Sequence, residues 1–222
     1  MERRHFLLTG ALSAATVVTA WPGAFAAGKE TKVNPAEDLM QEHGLLNRIL
    51  LVYDECIRRL RSKIEFEPTA LKNAAELLRH FIEDYHEKTE EHHVFPRLEK
   101  AGKLTDLVAT LRKQHDAGRQ LTKVIIADST AGASRSAELL AALEAFNHMY
   151  RPHEAREDTV LFPAFRNLLS DKEYHELGEQ FDQSEEKLLG KGGFASNVEK
   201  ISSIEKQLGI YDLAQFTPPV GK

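Results

Sequence analysis

Residues 153–163 read HEAREDTVLFP, and residues 86–96 of the same chain read HEKTEEHHVFP. Each copy has a His, a Glu directly after it, a second Glu four positions on, and Phe-Pro nine and ten positions on, and the copies start 67 residues apart (153 minus 86). Four residues advance a helix by about 400°, so the His and the second Glu of each copy lie only about 40° apart on one face, one turn above the other. The residues around each copy decide whether that face points inward.

Upstream of the second copy, Leu139, Leu143, Phe146, Tyr150, His153, Glu157 and Val160 are spaced 4-3-4-3-4-3, the apolar stripe of a helix over about 136–169, with Pro152 expected to kink it just before His153. Near the start of the chain Leu39, His43, Leu46, Leu50, Tyr53, Ile57 and Leu60 repeat that spacing. Asn34 is the candidate N-cap of this helix, Pro35 lies in its first turn, and it ends near Lys63. A second helix is predicted over about 69–100, with Leu71, Ala75, Leu78 and Ile82 leading to Tyr85 and His86 along a less tidy stripe, and Gly102 stops it. A third, over about 105–128, carries Leu107, Leu111, His115, Leu121 and Ile125 and runs into the polar loop STAGAS. No stretch alternates with period two, so the fold class expected is all-α. Four amphipathic segments with short connections predict an up-down-up-down four-helix bundle over residues 35–169.

Residues 170–222 form a helical extension and tail. Ser170 with Glu173 and Ser196 with Glu199 read as capping boxes for helices over about 171–189 and 197–208, separated by GKGG, and Gly209 closes the second. The tail is expected to be irregular, with Tyr211, Leu213 and Phe216 able to pack back onto the bundle.

At 222 residues, 42% hydrophobic and 28% charged, the chain suits one globular domain with appendages. A net charge of −5 supplies neither the basic footprint of a nucleic-acid partner nor cations for an anionic membrane surface. The single Cys56 excludes an internal disulfide and reads as a small core residue. Residues 1–27 combine an Arg3-Arg4 pair, a mild apolar run from Phe6 to Trp21 softened by hydroxyls and Gly10, and small residues at Ala24 and Ala26. They resemble a twin-arginine export signal, which implies cleavage, no membrane association afterwards, and export of an already folded protein to the periplasm.

Histidine and glutamate set among leucines and aromatics would each cost several kcal/mol without partners. A metal ion compensates, because neutral imidazole and ionised carboxylate are its ligands and a carboxylate can bridge two ions. His43, His86, Glu90, His115, His153 and Glu157 are too many for one tetrahedral zinc and suit a pair of irons. The zinc-protease signature H-E-x-x-H is absent, since both copies end in Glu.

With His43 in QEHGLL, HEKTE at 86–90, His115 in RKQHDAG and YRPHEAREDTVLFPAF at 150–165, residues 37–168 resemble the hemerythrin family in its bacterial HHE branch. That resemblance implies a non-haem centre of two irons with an oxo or hydroxo bridge, Glu90 and Glu157 as bridging carboxylates, and the four histidines on the outer faces. It also implies a dioxygen-binding position. Oxygen carriers of the family present two histidines one turn apart on the third helix, whereas Leu111 and Arg119 flank His115 here. The chain is therefore expected to bind dioxygen or nitric oxide for sensing, storage or scavenging, or else to act as an oxidoreductase on peroxide, nitric oxide or ferrous iron. Carriers also place an aspartate five residues after the last His; that makes Asp158 a competitor of Glu157, but a five-residue step falls about 140° round the helix, which favours Glu157. Glu87 and Glu154, about 100° off the ligand face, are read as surface charge or as acceptors orienting an imidazole. Tyr150 is read as a core aromatic able to donate to a ligand at the metals. His92 and His93 are not duplicated and are read as surface or supporting residues, and His80, His148 and His175 as solvated or structural. Phe95-Pro96 and Phe162-Pro163 are expected to pack and distort the ends of the metal-bearing helices.

Overall fold

The computed structural model describes residues 34–131 and 136–219. The chain divides into a unit of residues 1–31 and one of residues 32–222, and all described residues belong to the second. The export signal read in residues 1–27 lies outside the described residues. No described helix is long and apolar enough to cross a membrane.

Every regular element among the described residues is helical. Helix α1 spans Pro35–Ser62, with Asn34 as its N-cap and Lys63 ending it in a left-handed conformation. The Asn34 side chain makes no capping bond, so Pro35 at the first helical position carries the start signal. Helix α2 runs without interruption over residues 68–100, helix α3 spans Thr105–Ser129, and helix α4 covers residues 136–166 through Pro152. The extension folds as α5, Asp171–Leu189, and α6, Gly193–Leu208.

Helices α2 and α4 depart from regular winding at matching places. Leu78–His86, Glu90–Val94 and Glu157–Leu161 wind as π-helix. The later two turns each begin at the second Glu of a repeat and end one residue before its Phe-Pro. Pro96 and Pro163 cannot donate to the carbonyl four residues back and their rings crowd it. The wider turn makes room: Phe95 N–H bonds to Glu90 C=O and Phe162 N–H to Glu157 C=O, five residues back in both cases. The additional residues per turn explain why the α2 stripe departs from a 3.6 period.

Helices α1 and α2, α2 and α3, α3 and α4, and α4 and α1 pack together, and α6 lies against both α1 and α2. Two apolar clusters result. One gathers Leu46, Ile49, Tyr53, Leu78, Phe146 and Tyr150 with Ile201, Ile204 and Leu208 of α6. The other gathers Leu39, Phe95, Leu111, Phe162 and Phe165 with Tyr174, Leu177 and Phe181 of α5. Each of α1 to α4 passes through both clusters, and the six His and Glu positions fall between them along each helix.

The Ser170–Glu173 capping box is formed in full. The Ser196–Glu199 box is not: α6 starts four residues earlier, at Gly193, because Gly192 takes a left-handed conformation (φ 68°) and Glu185 of α5 accepts from Phe194 N–H at 2.6 Å. The tail also departs from expectation. Leu213 and Phe216, in a short 3-10 turn, are 78% and 52% exposed, and Tyr211 is half exposed under the Lys206 ammonium. Cys56 is fully buried, and burial pushes its thiol up to about 12, in keeping with a core filler.

Candidate metal centre

Four helices deliver the six residues. His43 comes from α1, His86 and Glu90 from α2, His115 from α3, His153 and Glu157 from α4, and all are buried. The Nε2 atoms of His43 and His86 are 3.1 Å apart. Glu157 Oε2 lies 3.5 Å from His43 Nε2 and 3.1 Å from His153 Nε2, while Glu90 Oε2 lies 3.4 Å from His115 Nε2 and 3.8 Å from His86 Nε2. Ligand atoms within 4.8 Å of one another form two sets built from the six, His43 with His86 and Glu90, and His115 with His153 and Glu157, and a third set joins Glu87 and Glu91 to His115. Each carboxylate thus touches one histidine of either set. That is the arrangement a bridging ligand requires.

Both oxygens of Glu90, both of Glu157 and His115 Nε2 are buried without a hydrogen-bond partner. Leaving such atoms unmet costs about 1–3 kcal/mol each, more where a charge is involved. Burial and then the charge of Glu157 push Glu90 well above the usual carboxylate range. Burial also works to raise Glu157, but His153 and His43 outweigh it and hold Glu157 well below that range. Burial opposes a charge on His43, yet the hydrogen bond of Asp158 on Nδ1 and the Glu157 carboxylate 3.5 Å from Nε2 raise it to about 10. Burial lowers His115 to about 4. Bare oxygens and an imidazole lone pair converging in a dry interior fit metal cations, which would satisfy the orphaned atoms.

The outer ring nitrogens reveal four residues that spacing alone did not single out as supports. His86 Nδ1 bonds to Glu42 at 2.6 Å, His43 Nδ1 to Asp158 at 2.7 Å, His115 Nδ1 to Glu91 at 3.1 Å and His153 Nδ1 to Gln114 Oε1 at 2.9 Å. An acceptor at Nδ1 takes its N–H and leaves Nε2 as the coordinating nitrogen. Glu42 and Gln114 each precede a lone histidine, and Glu91 and Asp158 each follow the second Glu of a repeat, so the repetition itself carried the signal. Asp158 faces the back of His43, while Glu157 faces the shared interior.

Glu87 and Glu154 are not surface residues, since both are buried. Glu87 accepts from the Tyr150 hydroxyl at 2.5 Å and pairs with Arg119 at 2.6 Å. Glu154 has an unpartnered Oε2. The outer nitrogens of the four histidines are held by other residues, so neither glutamate orients an imidazole. The Tyr150 ring lies 5.2 Å from that of His153 and stacks on Phe146, with its hydroxyl turned to Glu87. The repeated phenylalanines close the site, Phe162 stacking on His43 and Phe95 on His115. His92, His80, His148 and His175 are exposed, and His93 is half-buried beside Phe181.

Residues 34–165 match the family model described as hemerythrin HHE cation binding domain. Three uncharacterized mycobacterial proteins, one from Mycobacterium bovis and two from strains of Mycobacterium tuberculosis, are each 50% identical over 194 residues, covering 86% of this chain and 76% of the relative. No solved structure matches.

Proposed function

Because the chain belongs to the hemerythrin HHE cation-binding family, we propose that it is an exported non-haem di-iron protein. In this proposal helices α1 to α4 form an up-down-up-down bundle whose interior binds dioxygen or nitric oxide, and residues 1–27 are a cleaved twin-arginine signal directing it to the periplasm. The observation that carries the di-iron reading is the reach of Glu90 and Glu157, each lying between histidines of both sets with its oxygens otherwise unmet. His43 and His86 would hold one iron, His115 and His153 the other, and the two carboxylates would be shared. Bound iron supplies a redox-active Lewis acid with affinity for small diatomic molecules. The chain's own groups fix each imidazole through its outer nitrogen, and Phe95 and Phe162 keep water from two of the rings.

His43, His86, Glu90, His115, His153 and Glu157 would together hold two irons, and iron content reads this directly. Anaerobic reconstitution is expected to give about two irons per chain; a value well below two ends the proposal. Stopped-flow mixing of the reduced protein with dioxygen, nitric oxide and peroxide then reads the chemistry optically. A stable adduct that reverses on removing the gas supports binding, whereas rapid multiple turnover replaces it with an oxidoreductase acting on peroxide, nitric oxide or ferrous iron.

A further inference from the structure

The two halves of the centre are related by the sequence repeat, and their supporting residues differ. Glu42 stands one position before His43 and Gln114 one position before His115; Glu42 backs His86 with a carboxylate at 2.6 Å, whereas Gln114 backs His153 with a neutral amide at 2.9 Å. The other pair of supports is also unequal. Asp158 is 2.7 Å from His43, while Glu91 is 3.1 Å from His115 and divides its charge with Arg119 at 2.7 Å and Lys88 at 2.6 Å. Four residues after each lone histidine stand Asn47 and Arg119, and only Arg119 brings a permanent cation beside its half.

A carboxylate accepting from Nδ1–H gives the ring imidazolate character and strengthens Nε2 as a donor, an effect that an amide delivers weakly. The guanidinium works in the same direction by disfavouring a second positive charge near His115. Resting on the di-metal reading above, we propose that the His43–His86 half is the high-affinity site and fills first. The His115–His153 half then holds the second, more weakly bound and exchangeable cation, and the Glu42/Gln114 difference is the main determinant of that order. Glu42 and Gln114 are positioning residues, which act on the cation through His86 and His153.

Cobalt(II) titrated anaerobically into the full metal-free protein tests this, with calorimetry for affinity and paramagnetically shifted Nδ1–H signals of the four histidines for site occupancy. Wild type is expected to show two steps separated about 10–100-fold in affinity, the usual effect of such supporting groups. The His43 and His86 signals should move during the first equivalent. Glu42→Gln should weaken the first step and Gln114→Glu strengthen the second, each drawing the steps together. The double exchange should reverse the order in which the signals move. These are exchanges of similar shape, and an unchanged circular dichroism spectrum identifies the variants that fold. If fewer than two cobalt ions bind wild type, the di-metal reading itself fails. If two bind with equal affinity, if both variants shift both steps alike, or if the double exchange leaves the order unchanged, that reading survives and the inequivalence of the halves is overturned.

Discussion

The hydroxyl of Tyr150 rests against the backbone of Gly118, so closely that a Cβ on Gly118 would overlap it and come within 2.8 Å of Cε2 and Cζ. Gly118 lies inside α3, where alanine would ordinarily be better by about 1 kcal/mol. Here the missing methyl is the space in which the phenol reaches Glu87. Overpacking typically costs about 1–3 kcal/mol, which exceeds the helix-propensity gain over most of its range. Gly118→Ala should therefore destabilise the metal-free protein by up to ~2 kcal/mol after that gain, read as a lower urea midpoint. A variant more stable than wild type would show that Tyr150 and α3 are not so tightly fitted.

Glu90 should behave in the opposite way. In the metal-free protein its oxygens lack partners and it faces Glu157, so the site is kept at the expense of stability. Glu90→Gln relieves that repulsion while removing a bridging ligand. Calorimetric melting of the metal-free variant should give a Tm equal to or above that of wild type. Addition of ferrous iron under anaerobic conditions should stabilise wild type by about 4 kcal/mol at a thousandfold excess over Kd, but the variant far less. A metal-free Tm clearly below that of wild type would mean that Glu90 has a structural partner of its own.

The contrast between Glu90 and Glu91 shows how far spacing alone could go. Glu90 stands one turn from His86 in an otherwise apolar stripe, and its inward direction follows from helix geometry. Glu91 is one position on, about 100° away on a regular helix, and nothing in its own periodicity marks it as a support for His115. It sits in a π-helical turn, where a 3.6-residue wheel no longer assigns faces; Asp158 occupies the equivalent turn of α4. The burial of Glu87 was hidden for a different reason: it depends on Tyr150 and Arg119 from two other helices. The early start of α6 likewise depends on Glu185 from α5, a tertiary cap that competes with the local Ser196 signal.

Asp38 carries a pH dependence of known sign. Burial, then the charges of Glu42, Glu185 and Asp182, raise its carboxyl from 3.8 to about 8. Between those values the folded chain keeps a proton that the unfolded chain has released, so stability falls as pH rises through this window. Asp38→Asn removes this dependence. Its Tm advantage over wild type should be near zero at pH 4, grow towards pH 8 and level off above it. At this chain length each ~2–4 °C corresponds to about 1 kcal/mol. A constant Tm difference across that range would show that Asp38 does not titrate with folding.

The extension α5–α6 shares both apolar clusters with the other helices, so it should be indispensable to their folding. Ile201, Ile204 and Leu208 enter one cluster, and Tyr174, Leu177 and Phe181 the other. Arg48 of α1 donates to both oxygens of Glu205 and to Ser202, and Arg59 donates to the Leu208 carbonyl. Burying a large apolar side chain contributes about 1.5–3 kcal/mol. Six of them amount to roughly the whole net stability of an ordinary domain, about 5–15 kcal/mol. A chain ending at Leu169 should therefore lack a cooperative thermal transition and bind little metal, whereas Ile204→Ala, costing about 2–5 kcal/mol, should lower Tm yet keep full metal stoichiometry. Near-ultraviolet circular dichroism and iron content of the two proteins separate these outcomes. A shortened chain that melts cooperatively with two irons bound would make the extension a dispensable appendage.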